Sequence, residues 1–109
     1  MTVPRRVRWG MAVPAFHAFL HPLVEVLADG QEHRVNDLYD AVANHMGLTA
    51  DDRAELLPSG KQRRYANRIG WAKTYLAKAG LVDTPRRGYA RITERGQQAL
   101  ASNHTIDLE

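Results

Sequence analysis

Residues 61–93 read KQRRYANRIGWAKTYLAKAGLVDTPRRGYARIT, and this stretch decides the fold class. Five apolar side chains recur in it at helical spacing and span an arc of about 80° on a helical wheel. They are Tyr65, Ile69, Ala72, Leu76 and Ala79. The spacing predicts a helix over residues 62–79 that buries this face and stops at Gly80. Two short strands, residues 81–84 and 89–92, are predicted on either side of a turn at Pro85–Gly88.

The chain before this stretch predicts two longer helices. The first covers residues 15–28, and Pro22 should kink or divide it because proline lacks the N–H that a helix interior requires. The second takes Asn36 as its N-cap and ends at Gly47. A brief edge strand is expected ahead of it, at residues 33–35.

Two threonines are predicted to begin the remaining helices, because a hydroxyl accepts hydrogen bonds from the free N–H groups of a first turn. Thr49 begins a short helix before the break at Pro58–Gly60, and Thr93 begins the last helix. Leu100 and Ile106 are expected to pack on the core from that end. The acids of the short helix are expected to form a solvated face: Asp51, Asp52 and Glu55.

The order of these elements predicts a mainly α fold with a small β-hairpin. A helix-turn-helix core followed by a hairpin is typical of a winged helix, and the loop at residues 85–88 would be the wing. We divide the chain into a basic N-terminal arm at residues 1–14, a winged-helix DNA-binding domain at residues 15–103 and a tail at residues 104–109. The tail is either the start of an interdomain linker or the remnant of a purification tag.

Composition excludes several classes of protein. The chain has no cysteine, so disulfides and thiolate metal sites are excluded. It has no apolar run long enough for a membrane span or a signal peptide, so we expect a cytoplasmic protein with no membrane partner. Residues 16–60 hold eight acidic and two basic residues, whereas residues 61–95 hold ten basic and two acidic ones. A basic half indicates a polyanionic partner, and a merely solvated basic surface is the alternative.

The outer face and N-terminus of the long helix supply most of the candidate contacts to DNA. Arginine can bind guanine O6 and N7 together, and asparagine or glutamine can bind adenine in the same way. The free N–H groups of a helix N-terminus also attract phosphate. The candidate DNA-binding residues are Lys61, Gln62, Arg63, Arg64, Asn67, Arg68, Trp71, Lys73, Arg86 and Arg87. The last two belong to the wing, where guanidinium groups can hold phosphates or enter the minor groove.

Other constellations in the sequence indicate no chemistry. His17 and His21 stand four residues apart, but a zinc site needs three or four ligands. No nucleophilic triad, carboxylate pair or glycine-rich phosphate loop is present, so we expect no catalytic residue, metal or cofactor. Three arginines of the N-terminal arm form either a minor-groove arm or a tail that adds non-specific attraction: Arg5, Arg6 and Arg8. Four aromatic residues are interpreted mainly as core: Tyr65, Trp71, Tyr75 and Tyr89.

From Met11 onward the chain resembles the N-terminal domain of Mrr-type restriction endonucleases. The resemblance rests on VPAFHAFLHPLVEVLADGQEH at residues 13–33 and on residues 55–100, above all ELLPSG, NRIGWAKTYL and the PRRG and RITERG segments. That family joins a winged-helix domain to a PD-(D/E)xK nuclease that cuts DNA carrying foreign methylation. The resemblance therefore implies a C-terminal nuclease domain in a longer parent protein, while the nuclease residues themselves are not found here.

We interpret the chain as a DNA-binding module rather than an enzyme, with double-stranded DNA as its partner. The long helix would read the major groove and the wing would hold the backbone. A methyl group on a base would then be covered in the groove by Tyr65, Trp71 or arginine stems, in preference to a flipped base in a pocket. The alternative is a winged helix that serves protein interaction or dimerisation, and the sequence leaves a homodimer open.

Overall fold

The computed structural model describes residues 15–102 and 105–106, so the basic N-terminal arm and most of the tail lie outside the described residues. The structure is mostly helical, with a small three-stranded antiparallel sheet in the order β1-β3-β2. A 3-10 helix at Phe16–Phe19 comes first. The other elements are α1 Leu20–Val26, β1 His33–Arg34, α2 Val35–Met46, α3 Ala50–Ala54, α4 Arg64–Lys78, β2 Val82–Asp83, β3 Tyr89–Ile92 and α5 Glu94–Ala101. The predicted class is confirmed at this level, and the arrangement is compatible with a winged helix.

The core lies where α1, α2 and α4 meet and where the sheet closes over them. The predicted stripe of α4 is buried from Tyr65 to Leu76, whereas Ala79 is exposed because it follows the helix as its C-cap. Ile106 is buried, as the sequence predicted. Each large side chain removed from water contributes about 1.5–3 kcal/mol, so this core accounts for the cohesion of the helices. Its fully buried large members are Phe19, Leu20, Leu23, Val24, Leu27, Leu38, Val42, Ile69, Leu76 and Val82.

The first helix is divided, but not at the proline. The 3-10 helix passes into α1 between Phe19 and Leu20, which places Pro22 in the first turn of α1. The N–H groups of a first turn have no partner within the helix, so a proline costs little there. The predicted division is thus present, but it falls before Leu20 rather than at Pro22, and the helical residues run from Phe16 to Val26 instead of from 15 to 28.

Helix α2 begins one residue before the predicted cap. Arg34 is the N-cap and offers no side-chain hydrogen bond, so Asn36 lies inside the first turn instead. The N–H of Val35 donates to the carbonyl of Gly88 at 2.8 Å. Strand β1 pairs with β3 immediately before this point, with Arg34 opposite Tyr89. A contact across the fold thus replaces the local cap that the sequence predicted.

Helix α3 has a capping box. Thr49 Oγ1 accepts from the N–H of Asp52, and Asp52 Oδ2 accepts from the N–H of Thr49 at 2.8 Å. Asp52 is only 3% exposed, so the expected solvated acidic face was wrong for this residue. Its carboxylate closes the first turn of α3 instead. Glu55 is also partly buried, and only Asp51 of the three acids is exposed.

Candidate nucleic-acid interface

Helix α4 starts at Arg64, two residues later than predicted, because the preceding segment folds back on itself. The N–H of Leu57 donates to the carbonyl of Gln62 at 2.9 Å, and the N–H of Arg64 donates to the carbonyl of Glu55 at 2.8 Å. Arg64 Nε also lies 3.0 Å from Glu55 Oε2, and both side chains are largely shielded from water. The first turn of α4 is consequently held against the end of α3.

Two of the predicted DNA-binding arginines are therefore engaged within the protein. Arg64 forms the ion pair with Glu55, and Arg63 donates from Nη1 to the carbonyl of Arg53 at 3.1 Å. Arg63 remains exposed, as do Lys61 and Gln62 just ahead of it. The structure thus presents Lys61, Gln62 and Arg63 at the entrance to α4, while Arg64 is turned towards α3.

Hydrogen bonds join three polar side chains from just ahead of α4 into its first turns, and we call this set the outward row. Asn67 Nδ2 donates to Gln62 Oε1 at 3.4 Å, and Arg68 Nη1 donates to Asn67 Oδ1 at 2.6 Å. Three predicted contact residues, Gln62, Asn67 and Arg68, are therefore brought together. The amide of Asn67 is held in one orientation by these two hydrogen bonds, one through its nitrogen and one through its oxygen.

A shallow hollow of about 200 Å³ lies on the same outward face of α4. Trp71 beside it is 58% exposed, so its interpretation as a core residue was wrong. At Gly70 an added Cβ would meet no atom within 4 Å, which shows that the surface here is open. The hollow is lined by Gln62, Asn67, Gly70, Trp71 and Thr74. An exposed indole beside polar amides can contact an apolar group and hydrogen-bonding groups of one ligand together.

Tyr65 does not reach this surface. It is buried, and its hydroxyl lies 3.4 Å from Asp40 Oδ1, to which it donates. Burial, reinforced by the negative charge of Asp40, raises the pKa of the Tyr65 phenol above its ordinary value. The expectation that Tyr65 covers a methyl group in the groove is therefore wrong, and Trp71 is the aromatic residue of α4 that faces outward.

The loop between β2 and β3, residues 84–88, carries two arginines whose contacts within the protein differ. Arg86 Nε lies 3.0 Å from Glu32 Oε1, and the guanidinium carbon stands 3.9 Å from the centre of the Tyr89 ring. This cation–π contact and ion pair hold Arg86 along the base of the loop. Arg87 is exposed and, among the described residues, has neither a hydrogen-bond partner nor a carboxylate partner.

A cleft of about 520 Å³ separates this loop from α4 and α2. We call it the loop cleft. Lys73 enters it from α4 and Arg87 from the loop, so the fold brings together two predicted contact residues from different elements. None of the described residues that line it is acidic. They are Val35, Asn36, Lys73, Thr84, Arg86, Arg87, Gly88 and Tyr89.

Sequence reasoning missed three residues around the loop cleft. Asn36 was read as a helix cap, yet it lines the cleft from the first turn of α2. Thr84 lines the cleft from the loop, and Glu32 fixes Arg86 from 54 positions away in sequence. No pattern of spacing could reveal these contacts, because they depend on how β1 pairs with β3.

The histidines of the first helices form no metal site. His21 Nδ1 accepts from the N–H of Ile106 at 3.0 Å, and its Nε2 lies 3.2 Å from Glu25 Oε2. His17 is exposed. Throughout residues 15–102 and 105–106, no group of three or more potential ligands is placed to hold a metal ion. Nor does any helix in this part of the chain combine the length and the apolar character needed to cross a membrane.

The model of the Mrr N-terminal domain family matches residues 16–102. The chain belongs to the Mrr N-terminal domain family. A relative from Escherichia coli strain K12, the type IV methyl-directed restriction enzyme EcoKMrr, is 36% identical over 94 residues, which cover 85% of this chain and 31% of that enzyme. This Mrr N-terminal domain thus spans about a third of the length of the curated relative that it matches. No solved structure matches the chain.

Proposed function

We propose that this Mrr N-terminal domain is a winged-helix DNA-binding module, in which α4 enters the major groove and the β2–β3 loop is a wing on the backbone. One observation carries the proposal: Lys73 of α4 and Arg87 of the loop line the same cleft. Helix and loop therefore present one basic surface rather than two separate patches. Surfaces of this kind attract the phosphate backbone of a duplex and then align a helix with its groove.

The outward row of α4 is suited to reading base edges. Gln62 and Asn67 carry amides that can bind adenine N6 and N7, and Arg68 carries a fork that can bind guanine. Trp71 beside Gly70 offers an apolar surface for a methyl group in the groove. The name of the relative EcoKMrr includes the word methyl-directed, and we extend that property to this chain as part of the proposal. Covering one methyl group contributes about 0.8 kcal/mol, or about fourfold in affinity.

Fluorescence anisotropy with a labelled duplex at several salt concentrations tests the proposal. Binding should weaken linearly in log–log terms, with a slope of about −0.9 for each phosphate neutralised. A dissociation constant that does not change with salt, or no binding at low salt, would contradict DNA binding. It would favour the alternative, a winged helix that serves protein interaction. Analytical ultracentrifugation of the same sample then shows whether the chain binds as a monomer or as a dimer.

A panel of one duplex in unmodified, methylcytosine and methyladenine forms tests the methyl reading. Wild-type protein should prefer one methylated form by about fourfold, and Trp71→Ala should lose that preference. Lys78→Ala, at an exposed position of the same helix outside the hollow, is the control and should keep the preference. A preference of about a hundredfold would instead indicate a base flipped into a pocket.

The matched region of EcoKMrr also bears on the parent protein. We infer that this domain works as the DNA-recognition part of a longer restriction endonuclease whose nuclease lies C-terminal to it. Two features support that inference: the coverage of 31% of the relative and the restriction-enzyme name of that relative.

A further inference from the structure

The loop cleft is far larger than the contact that one exposed arginine would need. Its volume of about 520 Å³ falls within the range of sites that hold a small ligand. Lys73 lines it from α4, and Arg87 lines it from the loop. Asn36 and Thr84 add an amide and a hydroxyl to the lining. The donors thus surround a space that a linear, negatively charged group can occupy.

The two cations that face this space are available for a ligand. Among the described residues, neither Lys73 nor Arg87 has a carboxylate or hydrogen-bond partner. Arg86 differs, because Glu32 and the ring of Tyr89 already hold its guanidinium. A smaller hollow of about 230 Å³ adjoins the cleft and shares Arg87, with Arg34 on its rim. Within the part of the chain that the structure describes, cations with neither a hydrogen-bond nor a carboxylate partner therefore line both spaces, Lys73 and Arg87 in the cleft and Arg34 and Arg87 in the smaller hollow.

We propose that the loop cleft is a binding site for one phosphodiester of the DNA backbone, held between Lys73 and Arg87. This inference rests on the proposed function and assigns the group that the cleft takes. A phosphodiester carries one negative charge and has a sugar on either side, which suits a cleft larger than a phosphate alone. Lys73 is then a backbone contact although it lies on α4, and the base-reading residues are those of the outward row.

A shared phosphate also explains how the helix and the loop act together. Lys73 belongs to helix α4, whereas Arg87 belongs to a five-residue loop. Pairing of β1 with β3 and the ion pair between Glu32 and Arg86 hold this loop in place. One phosphate held from both sides fixes the depth and angle at which α4 enters the groove. Loss of either cation should therefore weaken binding to every sequence alike, without changing which sequence is preferred.

Neutral methylphosphonate linkages, placed singly along one strand of a duplex, test this site. At one position the linkage should weaken binding of the wild-type chain about tenfold, as expected for the loss of a charged hydrogen-bonded contact. The same linkage should change binding of the Lys73→Ala/Arg87→Ala variant less than about twofold, since nothing remains to be lost. A Lys78→Ala/Arg95→Ala variant removes the same two kinds of charge at exposed sites outside the cleft and should keep the tenfold sensitivity.

The single variants separate the site from its alternatives. Lys73→Ala and Arg87→Ala should lose sensitivity at the same linkage. Sensitivity lost at two different linkages, or a changed order of sequence preference in Lys73→Ala, would overturn the shared phosphate while leaving DNA binding intact.

Failure of the proposed function is recognised separately. If the wild-type chain binds no duplex, an NMR titration with inorganic phosphate tests whether the cleft binds an anion. A titration with chloride at equal ionic strength is the control. Saturable shifts of the Asn36, Lys73 and Gly88 amide resonances, absent in Arg87→Ala, would support an anion site with a free phosphate as its source. No saturable shift under those conditions would overturn the site.

Discussion

At the scale of single residues, Gly96 shows how closely α5 approaches the sheet. A Cβ added to Gly96 would stand 2.3 Å from the carbonyl oxygen of Leu81 and 2.6 Å from Ile92 Cγ1. Both distances are shorter than van der Waals contact, and the two neighbouring groups are a backbone carbonyl and a buried side chain. Packing therefore requires glycine at position 96, because Leu81 and Ile92 of the hairpin leave no room for a Cβ.

Gly96→Ala should therefore lower the free energy of unfolding by about 1–3 kcal/mol, the usual cost of overpacking. Urea unfolding followed by circular dichroism measures the change. Gly70→Ala is the matched control, because its Cβ would meet open space within the long helix α4. It should raise stability by about 0.5–1 kcal/mol, as alanine does in place of glycine in a helix. Equal effects of the two substitutions would contradict this account of the packing.

At the scale of elements, the β2–β3 loop is held from behind by strand β1. The carboxylate of Glu32, just before β1, pairs with Arg86, and the first N–H of α2 donates to Gly88. The ion pair is largely exposed, so it contributes little to stability. The ion pair instead changes the charge of the loop, because Glu32 neutralises Arg86. Under the proposed function this leaves Arg87 as the loop's cation for DNA.

Glu32→Ala should thus tighten DNA binding a few-fold and steepen the salt slope by up to about 0.9, as one more cation becomes available for phosphate. Stability should change by less than about 1 kcal/mol. Anisotropy titrations at several salt concentrations measure both the affinity and the slope. Glu94→Ala removes the same charge at the start of α5, at the other end of the hairpin, and should leave the slope unchanged. Weaker binding of Glu32→Ala would mean that the ion pair is needed to hold the loop in place.

At the scale of the whole molecule, Glu25 joins α1 to the end of α2. Its Oε1 lies 2.8 Å from His45 Nε2, and its Oε2 lies 3.2 Å from His21 Nε2. The hydrogen bond with His45 is the main reason that the pKa of Glu25 is lower than its ordinary value, and it outweighs a smaller upward effect of burial. His21 also accepts from the N–H of Ile106, so the same cluster secures the segment after α5.

The lowered pKa of Glu25 sets the direction of a pH effect on stability. A carboxylate with a depressed pKa in the folded state stabilises the fold above its ordinary value of about 4.5, and this contribution disappears as the pH falls through the folded pKa. Thermal unfolding between pH 7 and pH 3 should therefore show a loss of stability below about pH 4.5 that is smaller in Glu25→Gln. Asp51→Asn, at an exposed position of α3, should keep the wild-type profile. A profile unchanged by Glu25→Gln would exclude this contribution.

The chain as a whole should bind DNA without cutting it. The chain matches an N-terminal domain and only 31% of the restriction enzyme EcoKMrr, so under the proposed function DNA cleavage belongs to another domain of a longer protein. Incubation of supercoiled plasmid with the chain and magnesium should leave the plasmid intact. Metal-dependent nicking that co-purifies with the protein through a second column would contradict the assignment of a recognition domain.

The residues near one another in sequence predicted the elements well. The apolar period of α4 marked its buried face, Thr49 and Thr93 marked two helix starts, and Gly47 with a φ of 76° ends α2 as predicted. These features are local, because periodicity, side-chain capping and a left-handed glycine each depend on a few neighbouring residues. The charge of the basic half is likewise a property of one continuous stretch of chain, so its composition alone indicates it.

Only the tertiary structure decided which of those residues form the site. Arg64 was grouped with the contact residues by its place on the wheel, but it pairs with Glu55. The sequence predicts Trp71 mainly as a core residue, but it is exposed. The sequence also predicts that Tyr65 covers a methyl group in the DNA groove, but it is buried. The sequence by itself determined the family, the elements and the basic surface. It did not determine that Lys73 and Arg87 line one cleft, because that depends on contacts between residues far apart in the chain, which leave no periodic signal.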